Sequence, residues 1–351
     1  MRFIIYSDNH FCEKNSIITK YGTKYTTRLE NQIESLNWVE QMAIRHACDV
    51  VICAGDFFDR PFVTDQELTA LQDIEWTTKP HYFLVGNHES EEGNLQYSSV
   101  KALEAFNRIV VSSPEVYHFW DKAPDNEECE VAFLPYITES NRQEIEEYFS
   151  PKTPNVYRLM ISHNDLFGVQ MGPVISRIGF KPEDLSKMCD LCINGHLHNG
   201  QKILDNVINI GNLTGKDFGE NAFKYQHGVY IIDTKTKKVE FLENPHALNF
   251  YSIEINSDFD VLRLRRLKNK AVLSLKCKAS LLEAVRKTIA ETPTIVDSRV
   301  MVIRDTALTE GLNTNNIADL TMDHKGKFVE CCREKIDNSD ILEAELTEVL
   351  K

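Results

Sequence analysis

Short runs of consecutive apolar residues recur through residues 1–200, and each stops abruptly at polar or glycine positions: 2–7 (RFIIYS), 49–54 (DVVICA), 81–86 (HYFLVG), 157–162 (YRLMIS) and 189–194 (CDLCIN). Runs this short, without polar alternation, predict strands buried on both faces. Between them Leu29, Ile33, Leu36, Val39 and Ala43 return every three or four residues, which predicts a helix over Arg28–His46, with a second over Asn94–Phe106. Strand and helix patterns that alternate in this way predict a layered α/β sheet.

From about residue 202 the pattern becomes closely spaced strands, VINIGN, GVYIIDT and KKVEFLE, separated by Gly, Asn and Lys, which predicts a second, more antiparallel sheet. Asn244-Pro245 and the polar stretch Asn256–Asp260 place a boundary near 250. AVLSLKCK, SLLEAVRKTIAE and SRVMVIRD then predict a small α+β domain over 256–305, after a larger domain over 1–250. The polar tail 306–351 has helical spacing and is read as a docking element for a partner. A chain of 351 residues exceeds what one core usually serves, in keeping with two units.

The formal charge of −14 speaks against a protein that grips DNA unaided, because nonspecific affinity comes mostly from Lys and Arg on phosphates. If the substrate is DNA, a partner brings it, and bound divalent cations reverse the sign of the field locally. No apolar run is long enough to cross a bilayer, and the opening MRFIIYSDNH is a strand running into acid and imidazole rather than a signal peptide. The nine cysteines are an odd number, scattered at 12, 48, 53, 129, 189, 192, 277, 331 and 332, as expected of a soluble intracellular protein in a reducing cytoplasm.

The residues that follow the apolar runs carry the chemistry. They are Asp8-Asn9-His10, Gly55-Asp56, Gly86-Asn87-His88-Glu89, Ser162-His163-Asn164 and Gly195-His196-Leu197-His198. Carboxylate and carbonyl oxygens suit hard divalent cations and imidazoles suit Mn, Fe or Zn; a pair of such ions can clamp both oxygens of an in-line displacement at phosphorus. A single His or Asp at a strand end is more often a structural or capping residue. Five such clusters in succession are not explained in that way, and the carboxyl ends of α/β strands form a crevice where they can converge.

These five blocks resemble the calcineurin-type metallophosphoesterases, whose pattern runs Asp-x-His, Gly-Asp, Gly-Asn-His-Asp/Glu, His, Gly-His-x-His. Within that family the chain is most similar to SbcD-type exonuclease subunits of double-strand-break repair complexes, including phage-encoded relatives. The narrower likeness rests on GDFFDR at 55–60, the polar insert 11–27, and GNLTGKDFGE at 211–220 with the strands after it. It covers about 1–250.

The resemblance implies a two-sheet sandwich flanked by helices, with a small C-terminal α+β domain. It implies that Asp8, His10 and His198 hold one metal, that Asn87, His163 and His196 hold another, and that Asp56 bridges the two, most plausibly as a Mn²⁺ pair. His88 would protonate the departing oxygen or steady the transition state. The activity implied is double-strand 3′ exonuclease and single-strand endonuclease action on DNA in repair or recombination, beside an SMC-like coiled-coil ATPase of SbcC type, in a chain that can dimerise. Two alternatives remain: a small-molecule phosphodiesterase or phosphatase on the same metals, and an inactive scaffold that binds DNA ends or the ATPase.

Asp59 falls where some family members carry a His linked to exonuclease action; here it either orients a metal-bound His or starts a helix. Glu89 replaces the more frequent Asp. Cys189-x-x-Cys192 reads as a core pair. Arg263, Arg265, Arg266, Lys268 and Lys270 read either as a DNA or partner contact or as a solvated face, and His227 reads as structural.

Overall fold

The computed structural model describes residues 1–303 apart from 14–16, 19–21, 92, 121–127, 172–173 and 269. The expected helical tail over 306–351 lies outside the described residues. Met1–Met301 forms one compact unit.

In chain order the strands are β1 (Arg2–Tyr6), β2 (Val50–Cys53), β3 (His81–Leu84), β4 (Ile109–Val111), β5 (Glu115–Trp120), β6 (Glu128–Leu134), β7 (Tyr157–Ser162), β8 (Gln170–Met171) and β9 (Val174–Ile175). They continue with β10 (Leu191–Asn194), β11 (Gln201–Leu204), β12 (Val207–Asn209), β13 (Gly228–Asp233), β14 (Lys238–Glu243), β15 (Asn249–Ile255), β16 (Ala271–Lys278) and β17 (Ile295–Ile303). Two six-stranded sheets dominate, in the orders β14-β13-β1-β2-β3-β4 and β11-β12-β10-β7-β6-β5.

The five predicted strands are present but divide between the sheets: β1, β2 and β3 in one, β7 and β10 in the other. Their inward side chains pack face to face, Phe3, Ile5, Val50, Ile52 and Leu84 against Val131, Phe133, Leu159, Ile161 and Ile193. Neighbouring residues point the opposite way: Ile4, Tyr6 and Val51 meet the helix α1 (Thr27–Arg45) through Leu29, Ile33, Leu36 and Val39. The outer face of the second sheet is covered through Ala132, Met160, Leu185 and Met188. A strand covered on both sides has no polar face, which is why these segments read as unbroken apolar runs.

The expected second antiparallel sheet built from VINIGN, GVYIIDT and KKVEFLE does not form. β13 adds antiparallel to β1 and β14 to β13, whereas β12 pairs parallel with β10 and antiparallel with β11. Partner choice is settled by long-range register, which local spacing does not encode. The helix expected over Asn94–Phe106 is a 3₁₀ helix confined to Ser99–Phe106. Beyond the sandwich, β15, β16 and β17 form a three-stranded sheet, with β15 parallel to β16, over a core of Tyr251, Leu273, Leu275 and Val285. Among the described residues no helix is long and apolar enough to cross a membrane.

Candidate metal centre

Five strands from two sheets release their polar blocks at one end of the sandwich, and backbone hydrogen bonds stitch the blocks together. Asp8 N donates to Gly55 O at 3.0 Å, His10 N to Asp56 O at 3.0 Å, and Gly195 N to Ser162 O at 2.8 Å. Gln32 of α1 donates its amide to Asn9 O and His10 O at 2.8 and 2.6 Å, so the helix props the first block from behind. Asp8, His10, Asp56 and His196 all have positive φ, 51°, 49°, 50° and 75°. Non-glycine residues held there cost on the order of 1–3 kcal/mol each, a strain that collects where function dictates side-chain direction.

Every residue expected as a metal ligand is brought to this place. Asp8, His10 and His198 form one cluster, Asp56, His163 and His196 another, and His10, Asp56 and His88 a third between them. Asp56 Oδ2 lies 3.2 Å from His163 Nε2 and 4.0 Å from both His10 Nε2 and His88 Nε2, the position of a bridging group. Asn87 Oδ1 sits 3.3 Å from His163 Nε2 and 2.9 Å from His196 Nδ1. His10 Nε2 and His198 Nε2 face each other at 3.0 Å.

The donor set fits a pair of cations. Asp8 Oδ1 is buried and has no hydrogen-bond partner among the described residues. Two imidazole nitrogens at 3.0 Å need a proton or a cation between them. At the other pole burial pushes His163 down, but Asp56 overrides it and holds the ring up to about 9. Burial likewise pushes the Asp56 carboxyl up, and His163 more than reverses this, holding it below the usual carboxylate range. The pocket demands positive charge, which either a proton or a metal satisfies. Two divalent cations held here would supply charge to the phosphoryl oxygens and activate a water for in-line attack.

Sequence reasoning missed what stands behind the imidazoles. His163 Nδ1 contacts Ala54 O at 2.7 Å, His196 Nε2 contacts Asp165 Oδ1 at 3.0 Å, and His198 Nδ1 contacts Glu220 Oε1 at 2.8 Å. Asp59 Oδ1 lies 3.1 Å from His10 Nδ1 and 2.7 Å from Lys216 Nζ, and Lys216 Nζ is itself 3.1 Å from the same ring nitrogen, so Asp59 and Lys216 together back His10. His88 keeps about a third of its side chain open, with Nδ1 3.1 Å from Asp59 O. Glu89 is fully buried: Oε1 accepts Phe58 N at 3.0 Å and Oε2 accepts Gly86 N at 2.8 Å, which ties the second block to the third. Burial, then Asp56, push its carboxyl up to about 8.

The remaining flagged residues are not among the candidate ligands. Arg265, Lys268 and Lys270 are committed to ion pairs with Glu291, Glu243 and Glu34. Arg60 pairs with Glu67 at 2.7 Å. Cys189 and Cys192 lie in the core of the second sheet, and no disulfide joins the seven described cysteines, all buried. His227 is buried with Nδ1 2.6 Å from Asn212 Oδ1, in the loop that carries Glu220.

Comparison with known proteins places the chain in a family. The sequence profile of the calcineurin-like phosphoesterases matches residues 1–200. The chain belongs to the calcineurin-like phosphoesterase family. It is similar to a phosphoesterase of Invertebrate iridescent virus 3, 24% identical over 248 residues that cover 67% of this chain and 63% of that protein's length. Among solved structures it resembles a dimetal phosphatase from Danio rerio at 14% identity, TM-score 0.39, covering 66% of this chain and 91% of the other. It also resembles the calcineurin-like phosphoesterase YfkN from Bacillus subtilis at 10% identity, TM-score 0.39, covering 69% and 88%.

Proposed function

We propose that the chain is a Mn²⁺-dependent DNA nuclease of SbcD type that cuts phosphodiester bonds at this centre. Asp8, His10 and His198 hold one cation, Asn87, His163 and His196 the other, and Asp56 bridges them. His88, open on one side and braced by Asp59 O, donates a proton to the departing oxygen.

The observation that favours a nucleic acid over a small phosphoester concerns the loops that carry these residues. Phe62 follows Asp56, Tyr97 follows His88, Phe167 follows His163 and Phe223 follows Glu220, and each is 48–78% exposed. Exposed aromatics on loops that carry the candidate ligands are surfaces on which unstacked bases can stack, which supports a nucleic-acid substrate. The net charge of −14 makes a DNA-gripping partner part of the reading, namely an SMC-like coiled-coil ATPase of SbcC type.

The test is nucleotide release from a linear DNA duplex and from single strands by purified protein with Mn²⁺, with Mg²⁺, EDTA and His88→Ala as controls. Cleavage that requires Mn²⁺ and His88 is the expected result. Brisk hydrolysis of a small aryl phosphodiester without any DNA cleavage would overturn the nuclease assignment and leave the phosphoesterase.

A further inference from the structure

The two histidines of Gly195-His196-Leu197-His198 are one residue apart, yet they serve different poles of the centre with different atoms. His196 turns Nδ1 to Asn87 Oδ1 at 2.9 Å, and His198 turns Nε2 to His10 Nε2 at 3.0 Å. We propose that Asp165 and Glu220, which belong to none of the five blocks, are positioning residues that enforce this choice of opposite ring nitrogens. The inference rests on the assignment of both histidines as metal ligands.

A neutral imidazole carries one N–H, and whichever nitrogen faces a fixed acceptor keeps it, leaving the lone pair on the other. Asp165 Oδ1, 3.0 Å from His196 Nε2, holds the proton there once a cation shared by Nδ1 and Asn87 Oδ1, which lie 2.9 Å apart, takes the lone pair that would otherwise face an oxygen. Glu220 Oε1, 2.8 Å from His198 Nδ1, does the reverse and frees Nε2. Neither carboxylate is loose. Glu220 is 2% exposed and its second oxygen accepts Lys216 N at 2.7 Å. Asp165 is 5% exposed and its carbonyl accepts Phe180 N at 3.0 Å. Gly179, just before Phe180, has φ +106°, and a Cβ there would sit 2.2 Å from Asp165 O. The loop therefore closes on Asp165 only because that position has no side chain.

The effect is a division of labour. His196 reaches its pole with the nitrogen nearer the backbone, helped by its left-handed φ of 75°, while His198 reaches with the distal one. Mixed tautomers at either ring would aim an N–H at a cation site. His163, backed by the Ala54 carbonyl, needs no such side chain, so the carboxylates stand where the backbone supplies no acceptor.

The experiment is Mn²⁺ titration calorimetry on the full chain, paired with ¹⁵N NMR of the imidazoles in the protein loaded with Zn²⁺, a diamagnetic ion. Wild type should bind two ions and show Nε2–H at His196 and Nδ1–H at His198. Asp165→Ala and Glu220→Ala should each weaken one ion by about 10–100-fold, leave the other near wild type, and mix the tautomers of the ring that lost its partner. Asp165→Asn, whose amide oxygen can accept the same N–H, should restore tautomer and affinity. Selective loss with restored tautomer supports the proposal. Unchanged tautomers in folded alanine variants, or equal loss of both ions, would overturn it. A wild-type protein that binds fewer than two ions would instead remove the metal assignment, and the inference with it.

Discussion

Replacing Glu89 by Gln changes one atom and separates two catalytic loops. Both carboxylate oxygens accept a backbone N–H, from Phe58 at 3.0 Å and Gly86 at 2.8 Å, in a fully buried setting. An ionised carboxylate accepts both bonds, and so does the acid form, because a hydroxyl oxygen keeps a lone pair; an amide nitrogen accepts nothing. Gln therefore satisfies one donor and turns N–H against the other. The lost bond is worth about 0.5–3 kcal/mol and the stranded donor costs about 1–3 kcal/mol, which together give a destabilisation of about 2–4 kcal/mol once their overlap is allowed for. Equilibrium urea unfolding in EDTA at about pH 4.5, where Glu89 is protonated in the folded state and about half so in the unfolded one, so that its proton uptake on folding costs little, measures this by tryptophan fluorescence without any contribution from bound metal. Glu89→Asp keeps two acceptors but is one methylene short, so it should fall between wild type and Gln. A Gln variant within about 0.5 kcal/mol of wild type would refute the reasoning, since that is the range of a neutral surface substitution.

Other substitutions probe the surroundings. Gly86→Ala should abolish productive metal binding, because its Cβ would stand 2.1 Å from Asp56 Oδ1 and 2.6 Å from Asp56 N; calorimetry with Mn²⁺ checks this, and wild-type affinity would contradict it. Arg158→Met should cost about 3–5 kcal/mol, since it leaves Glu130, now 2.6 Å from Arg158 Nε, buried without its partner. A further Glu130→Gln change should recover part of that loss in thermal melts. Burial pushes Glu40 up, but His81 at 2.8 Å and Thr77 N at 2.9 Å outweigh it and hold the carboxyl below its ordinary value. Its contribution is therefore complete above the unfolded pKa and lost as pH falls through the folded one, so wild type and Glu40→Gln should converge in stability below about pH 4.

The blocks were legible because a strand covered on both faces announces itself as an apolar run, and the polar residues at its end have nowhere to point but outward. The same logic did not reveal which sheet each strand would join. β13 and β14 extend the first sheet through register with β1, a contact spanning more than two hundred residues of sequence, and nothing in GVYIID distinguishes that partner from β12. The hairpin of β5 and β6 shows no clean alternation in the sequence, because charged residues fall within it, exposed at Glu115 and buried against Arg158 at Glu130. Asp165 and Glu220 were invisible for a related reason: an acidic residue destined to back an imidazole is spelled like one destined for water. The available signals were Asp165 lying two residues beyond His163, just past a block already marked, and Glu220 closing the segment 211–220. Asp59 is the intermediate case, where sequence posed the right alternatives and the 3.1 Å contact with His10 favours one of them.

The left-handed backbone at Asp8, His10, Asp56 and His196 places the centre on unstable ground in evolutionary time. Each of those positions would relax if it became glycine, so a lineage released from the need for hydrolysis would have a route to a more robust fold through the very residues proposed to hold the metals. All four positions carry an acid or an imidazole where glycine would be easier to hold, which is what the proposed role in holding metal ions would require.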